Sequence, residues 1–188
     1  IAVEVLGHLG NKGAAEALVH MAREAPPPDE RRIGTLVEGN LDRELRVEAL
    51  VAAGRLGDPS VIHDMLPLAT NQEVAMREAA IFTLGRTGDR RAERTLLDAL
   101  GDHRPSVQAL ACLGLAQIDD KSTAHALIAV VGDEARNDAV RAACAYAIGA
   151  RRYAAAEPAL HAALADNRGE TQRLAAWALG ELGDAKAT

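Results

Sequence analysis

The sequence predicts an all-α chain in which about five to six two-helix units stack in tandem as an α-solenoid. Three observations lead there. The 188 residues are 48% apolar but only 2% aromatic, so the interior must be built from Ala, Leu, Val and Ile; Ala and Leu are strong helix formers. A glycine motif recurs as "VLGHLGN" (5–11), "AAGRLGD" (52–58), "TLGRTGD" (83–89) and "ALGELGD" (178–184). With the first glycine of each copy as a marker, the series Gly7, Gly54, Gly85, Ala116, Gly149 and Gly180 advances by 47, 31, 31, 33 and 31 residues. A fixed period of that size is the signature of a repeat array.

Each unit reads as a first helix, a turn and a second helix. The first helix ends near the marker. Five positions earlier stands a small residue: Ala2, Ala49, Ala80, Ala111, Cys144 and Ala175. Eight positions earlier stand Arg46, Arg77, Gln108, Arg141 and Gln172. The second glycine of the motif (Gly57, Gly88, Gly183) suits a left-handed position just past a helix end, where a Cβ would clash. The aspartate in the next place (Asp58, Asp89, Asp120, Asp184) suits an N-cap, and Pro59 falls where a first-turn proline belongs. Second helices follow, as in "AERTLLDAL" (92–100) and "AHALIAVV" (124–131). One such pair cannot bury its own apolar face, so neighbours must stack into a continuous core.

The expected units are a partial one at 1–24, then 41–71, 72–103, 104–136 and 137–168, and a partial one at 169–188. The turns at "LAQIDD" and "AIGARRY" depart from the motif. Residues 25–40, "APPPDERRIGTLVEGN", form an insertion: three prolines stop the preceding helix, and the segment is expected to be a solvated surface loop or a contact loop. Arg46, Arg77 and Arg141 are expected to pair with turn aspartates of neighbouring units, such as Asp58 and Asp89. Cys112 and Cys144 read as two small buried residues; stacked helices lie ~8–10 Å apart and a disulfide needs Cα atoms within ~7 Å, so no bond is expected.

The stretches "LRVEALVAAGRLGD" (45–58), "MREAAIFTLGRTGD" (76–89), "VRAACAYAIG" (140–149) and "QRLAAWALGELGD" (172–184) resemble HEAT-like repeats of the short bacterial, phycobilisome-lyase type. The resemblance covers nearly the whole chain. It implies a right-handed superhelix with first helices on the convex side and second helices lining the concave side. From the marker positions the chain begins inside a first helix and ends where a second should start, so it is expected to be a piece of a longer array or to lack terminal residues.

Two faces supply candidate binding residues. Positions nine and thirteen after the markers should face the groove; of these Glu16, His20, His63, Arg94, Asp98 and His125 are candidate contacts. Their mixed charge suits a polypeptide better than a phosphate backbone. Positions three before the markers are Glu4, Val51, Phe82, Leu113, Tyr146 and Trp177. Three of the four aromatics share this column, and Phe82, Tyr146 and Trp177 are a candidate docking stripe.

The expected partner is therefore another protein or peptide. A net charge of -6 argues against nucleic acid, and no apolar run is long enough to span a bilayer. A cytoplasmic protein is the expectation. No cofactor or metal site is expected: equivalent histidines two units apart, such as His63 and His125, would lie ~16–20 Å apart, beyond sharing one ion. Metal-dependent HEAT-like hydroxylases use repeated His-Glu pairs, whereas no His here is followed by Glu. No phosphate loop or nucleophile elbow appears. The sequence thus favours a non-catalytic interaction scaffold, with a bilin-lyase-like or chaperone-like subunit as the alternative.

Overall fold

The computed structural model describes residues 13–24, 35–118, 120–166 and 169–183. Among them are helices and turns and no strand. The α-helices are α1 (Gly13–Glu24), α2 (Thr35–Leu56), α3 (Ile62–Met65), α4 (Val74–Thr87), α5 (Glu93–Ala99), α6 (Pro105–Leu115), α7 (Lys121–Gly132), α8 (Asp138–Arg151), α9 (Glu157–Ala165) and α10 (Gly169–Leu182). They fall into two compact units, Ile1–Thr87 and Gly88–Thr188. In the first, α2 lies between α1 and α4, and α3 packs on α4. In the second, first helices α6, α8 and α10 pack side by side, and α5, α7 and α9 form the layer of second helices.

The recurrent motif has a division of labour. Its second glycine takes a left-handed conformation at Gly57 (φ 65°), Gly88 (φ 63°) and Gly183 (φ 81°). In the aberrant turn "AIGARRY" the same place, three residues after the marker, is held by Arg152 at φ 52°. The aspartate then caps the next helical turn. Asp58 accepts from the Ser60 N–H at 2.9 Å, Asp89 from Arg91 at 2.8 Å and Asp120 from Ser122 at 2.8 Å. Asp184 lies outside the described residues. The first glycine serves packing instead. A Cβ on Gly54 would stand 2.7 Å from Thr83 Oγ1, and one on Gly149 would stand 2.7 Å from the Ala178 Cα. At Gly54 and Gly149 the marker is where one first helix presses on the next.

Three expectations are corrected. The arginine column serves helix ends: Arg141 pairs with Asp166, beyond its own unit's second helix, rather than with a Gly-x-x-Gly-Asp aspartate. Arg46 donates to the Ala22 carbonyl at 2.6 Å, Arg77 to Asn71 at 2.7 Å and Gln72 at 3.1 Å, and Arg141 to Val131 at 2.9 Å. The glutamines follow suit, Gln172 donating to the Leu164 carbonyl at 2.9 Å and Gln108 to that of Asp102. These carbonyls lie at or just beyond the end of the preceding second helix, where the last turn leaves acceptors without intrahelical donors. A long side chain eight residues before the marker reaches back to supply them. The inter-repeat ion pair does exist, but Arg90 makes it, with Asp120.

The cysteines are bonded. Cys112 on α6 and Cys144 on α8 form a disulfide, with Cα atoms 5.0 Å apart. The helix-axis spacing is the wrong measure for residues that face each other: each Cα lies ~2.3 Å from its own axis, so facing Cα atoms come several ångströms closer than the axes do. Small, fully buried neighbours, Ala111 and Ala145, permit that approach.

Finally, residues 35–40 of the supposed loop are helical, the opening of the 22-residue α2; residues 25–34, with the three prolines, lie outside the described residues. No helix among the described residues is long and apolar enough to cross a membrane.

Candidate functional site

The helix register sorts the candidate residues by face. All six second-helix candidates, Glu16, His20, His63, Arg94, Asp98 and His125, are exposed. In the first unit Glu16 and His20, on successive turns of α1, line an open depression of about 420 Å³ with Val19, Arg23 and Asp64. Arg23 and Asp64 are ion-paired across it. Neither is among the contacts expected from the sequence, although Arg23 stands seven residues after Glu16 and three after His20, spacings that put it on their face. In the second unit Arg94 and Asp98 pair along α5 at 3.1 Å. Among the described residues no group of three or more His, Cys, Asp and Glu is placed to hold a metal ion.

The first-helix column is different in kind. Phe82 is half-buried against Gly54 in the first unit. In the second unit Leu113 (38% exposed), Tyr146 (44%) and Trp177 (38%) stand on successive helices α6, α8 and α10. The Tyr146 and Trp177 rings stack, with centroids 5.0 Å apart and planes at 16°. Between Asp138 and Arg151 the exposed residues of α8 are Ala139, Tyr146 and Ala150, so the middle of this face carries no charge.

Three carboxylates at helix starts are held by hydrogen bonds. Asp89 is held below the usual carboxylate range mainly by the Arg91 side chain, and Asp120 by the Ser122 N–H and hydroxyl. Asp138 is lowered chiefly by the hydroxyl of buried Thr171, which donates to it at 2.5 Å and so ties the start of α8 to the start of α10. In each case the largest cause of the lowering is a hydrogen bond to the carboxylate.

The repeat length, the helix pairs and the turn chemistry agree with what family comparison finds: a model of HEAT repeats matches residues 33–102, 64–136 and 133–188. The chain belongs to the HEAT-repeat family. HEAT repeats stack as α-solenoids, the fold class expected from the period. Among solved structures, human deoxyhypusine hydroxylase in complex with glycerol is similar, with a TM-score of 0.51 and 18% identity over 96% of this chain and 77% of that one. At that identity the likeness is one of fold. No curated protein matches the chain.

Proposed function

We propose that this HEAT-repeat chain is a non-catalytic protein-binding module, a scaffold or regulatory subunit, of the short phycobilisome-lyase-type repeat. The subtype reading rests on the period of about 31 and the alanine column. The observation that carries the function is the stripe of Leu113, Tyr146 and Trp177, three large apolar side chains each more than a third exposed on adjacent helices. Single exposed apolar residues are ordinary, but an aligned group with a stacked aromatic pair marks an interaction surface. Tyr and Trp are the residue types that dominate binding energy at protein interfaces.

Other features support the same reading. The Gly-x-x-Gly-Asp residues are engaged in ending and capping helices, which leaves no phosphate-binding role for them. The second-helix face mixes charges of both signs, a surface that fits a polypeptide.

The test is capture by the full chain compared with Tyr146→Ser/Trp177→Ser. Proteins retained by the parent and lost by the variant, with helicity by circular dichroism unchanged, support the stripe as the docking face. Equal retention by both overturns it. A parallel variant, Glu16→Lys/Asp64→Lys, asks whether the α1 depression binds instead.

A further inference from the structure

We propose that Cys112 and Cys144 are a reversible thiol–disulfide switch that sets the stability of the unit Gly88–Thr188. The bond joins first helices of consecutive repeats, and both cysteines are fully buried. The 32-residue separation encloses the end of α6, all of α7 and the start of α8. Closing a loop of that length removes freedom from the unfolded chain and so favours the folded one.

The repeat itself shows that the bond is not needed to build the crossing. Cys112 stands four residues before its marker and Cys144 five before the next. The same two places hold Leu50 and Ala80 across α2 and α4, and Ala145 and Ala175 across α8 and α10; all four are fully buried. Helices in this register pack with small or aliphatic side chains alone. Two thiols are small, weakly polar groups of the same kind, and Cys112 Sγ lies 3.8 Å from the Val140 carbonyl, an acceptor within reach of an S–H once the bond is reduced. The unit therefore has two folded forms: a dithiol that is packed but unfastened, and a disulfide that is fastened.

Interconversion is thiol–disulfide exchange with a low-molecular-weight disulfide. The thiolate of one cysteine attacks that disulfide and expels one thiolate, giving a mixed disulfide. The second cysteine's thiolate then attacks the protein sulfur of the mixed disulfide and expels the other. The chain gives up two electrons and two protons, and the small disulfide becomes two thiols. In a reducing compartment the pair rests as thiols, and it closes when the thiol poise turns oxidising. Because both residues lie in the core, exchange requires α6 to open from α8. The switch is consequently slow, and the closed bond is shielded once made.

The full chain is incubated with oxidised glutathione or with excess dithiothreitol, and its thermal unfolding is compared with that of Cys112→Ala/Cys144→Ala under both conditions. The expected result is a folded, helical protein in every sample. The oxidised parent should melt higher than the reduced parent by on the order of 10 °C. The double variant should match the reduced parent and ignore the redox condition. Mass spectrometry after alkylation in denaturant should find both sulfurs protected only in the oxidised parent. The proposal is overturned if the cysteines are alkylated after glutathione treatment, if the two parent midpoints coincide, or if the reduced chain or the double variant is unfolded at room temperature; that last result would make the bond an obligatory strut.

Discussion

Helix α8 is pressed from both sides, and its two crossings are made differently. Toward α6 the contact is covalent, Cys112 to Cys144, and the marker on α6 is Ala116. Toward α10 it is close backbone approach at Gly149, flanked by the Tyr146–Trp177 stack. The long residue that ends the preceding second helix differs as well. Arg141 of α8 is almost wholly buried and bridges the Val131 carbonyl and the Asp166 carboxylate, whereas Gln172 of α10 serves the Leu164 carbonyl alone. One repeat geometry thus tolerates several chemistries, because what it fixes is the distance between backbones. The side chains that hold that distance are free to vary.

The sharpest way to break the equivalence is Gly149→Val. A Cβ there meets the Ala178 Cα at 2.7 Å, and a helix backbone cannot yield as a side-chain tip can. The expected loss is at least about 3 kcal/mol in urea unfolding. The matching change at the last marker, Gly180→Ala, meets no described atom within 4 Å and should be neutral or stabilising by up to about 1 kcal/mol.

Next in size is Arg141→Ala. It leaves the Asp166 carboxylate and the Val131 carbonyl without this donor and should cost about 2–3 kcal/mol. Gln172→Ala removes one neutral hydrogen bond and should cost about 1 kcal/mol. Equal losses at the two sites would show that burial of the charge is immaterial.

Arg152→Gly works in the other direction. It relieves a left-handed, non-glycine residue that costs about 1 kcal/mol and gives up only an exposed pair with Glu181, worth no more than ~1 kcal/mol. A modest rise in melting temperature is expected; a fall would show that the pair outweighs the strain.

The finest probe is pH. Asp138 and Thr171 link α8 to α10, and the Asp138 carboxyl lies below its ordinary 3.8 in the folded chain. A depressed carboxyl contributes its full stability above the unfolded value, and that contribution fades as pH falls through the folded value. Melting temperature should therefore decline below about pH 4, and less steeply in Asp138→Asn.

Much of this was legible in the sequence, because backbone requirements leave narrow residue choices. Left-handed turn positions ask for glycine, and free N–H groups ask for Asp. Gly57, Gly88, Asp58, Asp89 and Asp120 could thus be assigned their roles from spacing. Directional long-range pairings were not legible. An arginine eight residues before a marker can reach either a turn aspartate or a helix-end carbonyl, and only the packed geometry decides. The cysteine bond was missed because helix spacing says nothing about which residues face one another. The candidate stripe could be read as a column, but its unequal exposure, Phe82 half-buried and Tyr146 open, depends on the neighbours each helix acquires.

The reaching-back column has a practical corollary for anyone trimming or splicing this array. Each described second helix is finished by a donor from the first helix that follows it, so a cut at the apparent end of a helix pair strips that helix of its terminator and invites fraying. Excisions that retain the opening turns of the following helix, through Arg46, Arg77, Gln108, Arg141 or Gln172, should give tractable fragments where cuts a few residues earlier do not.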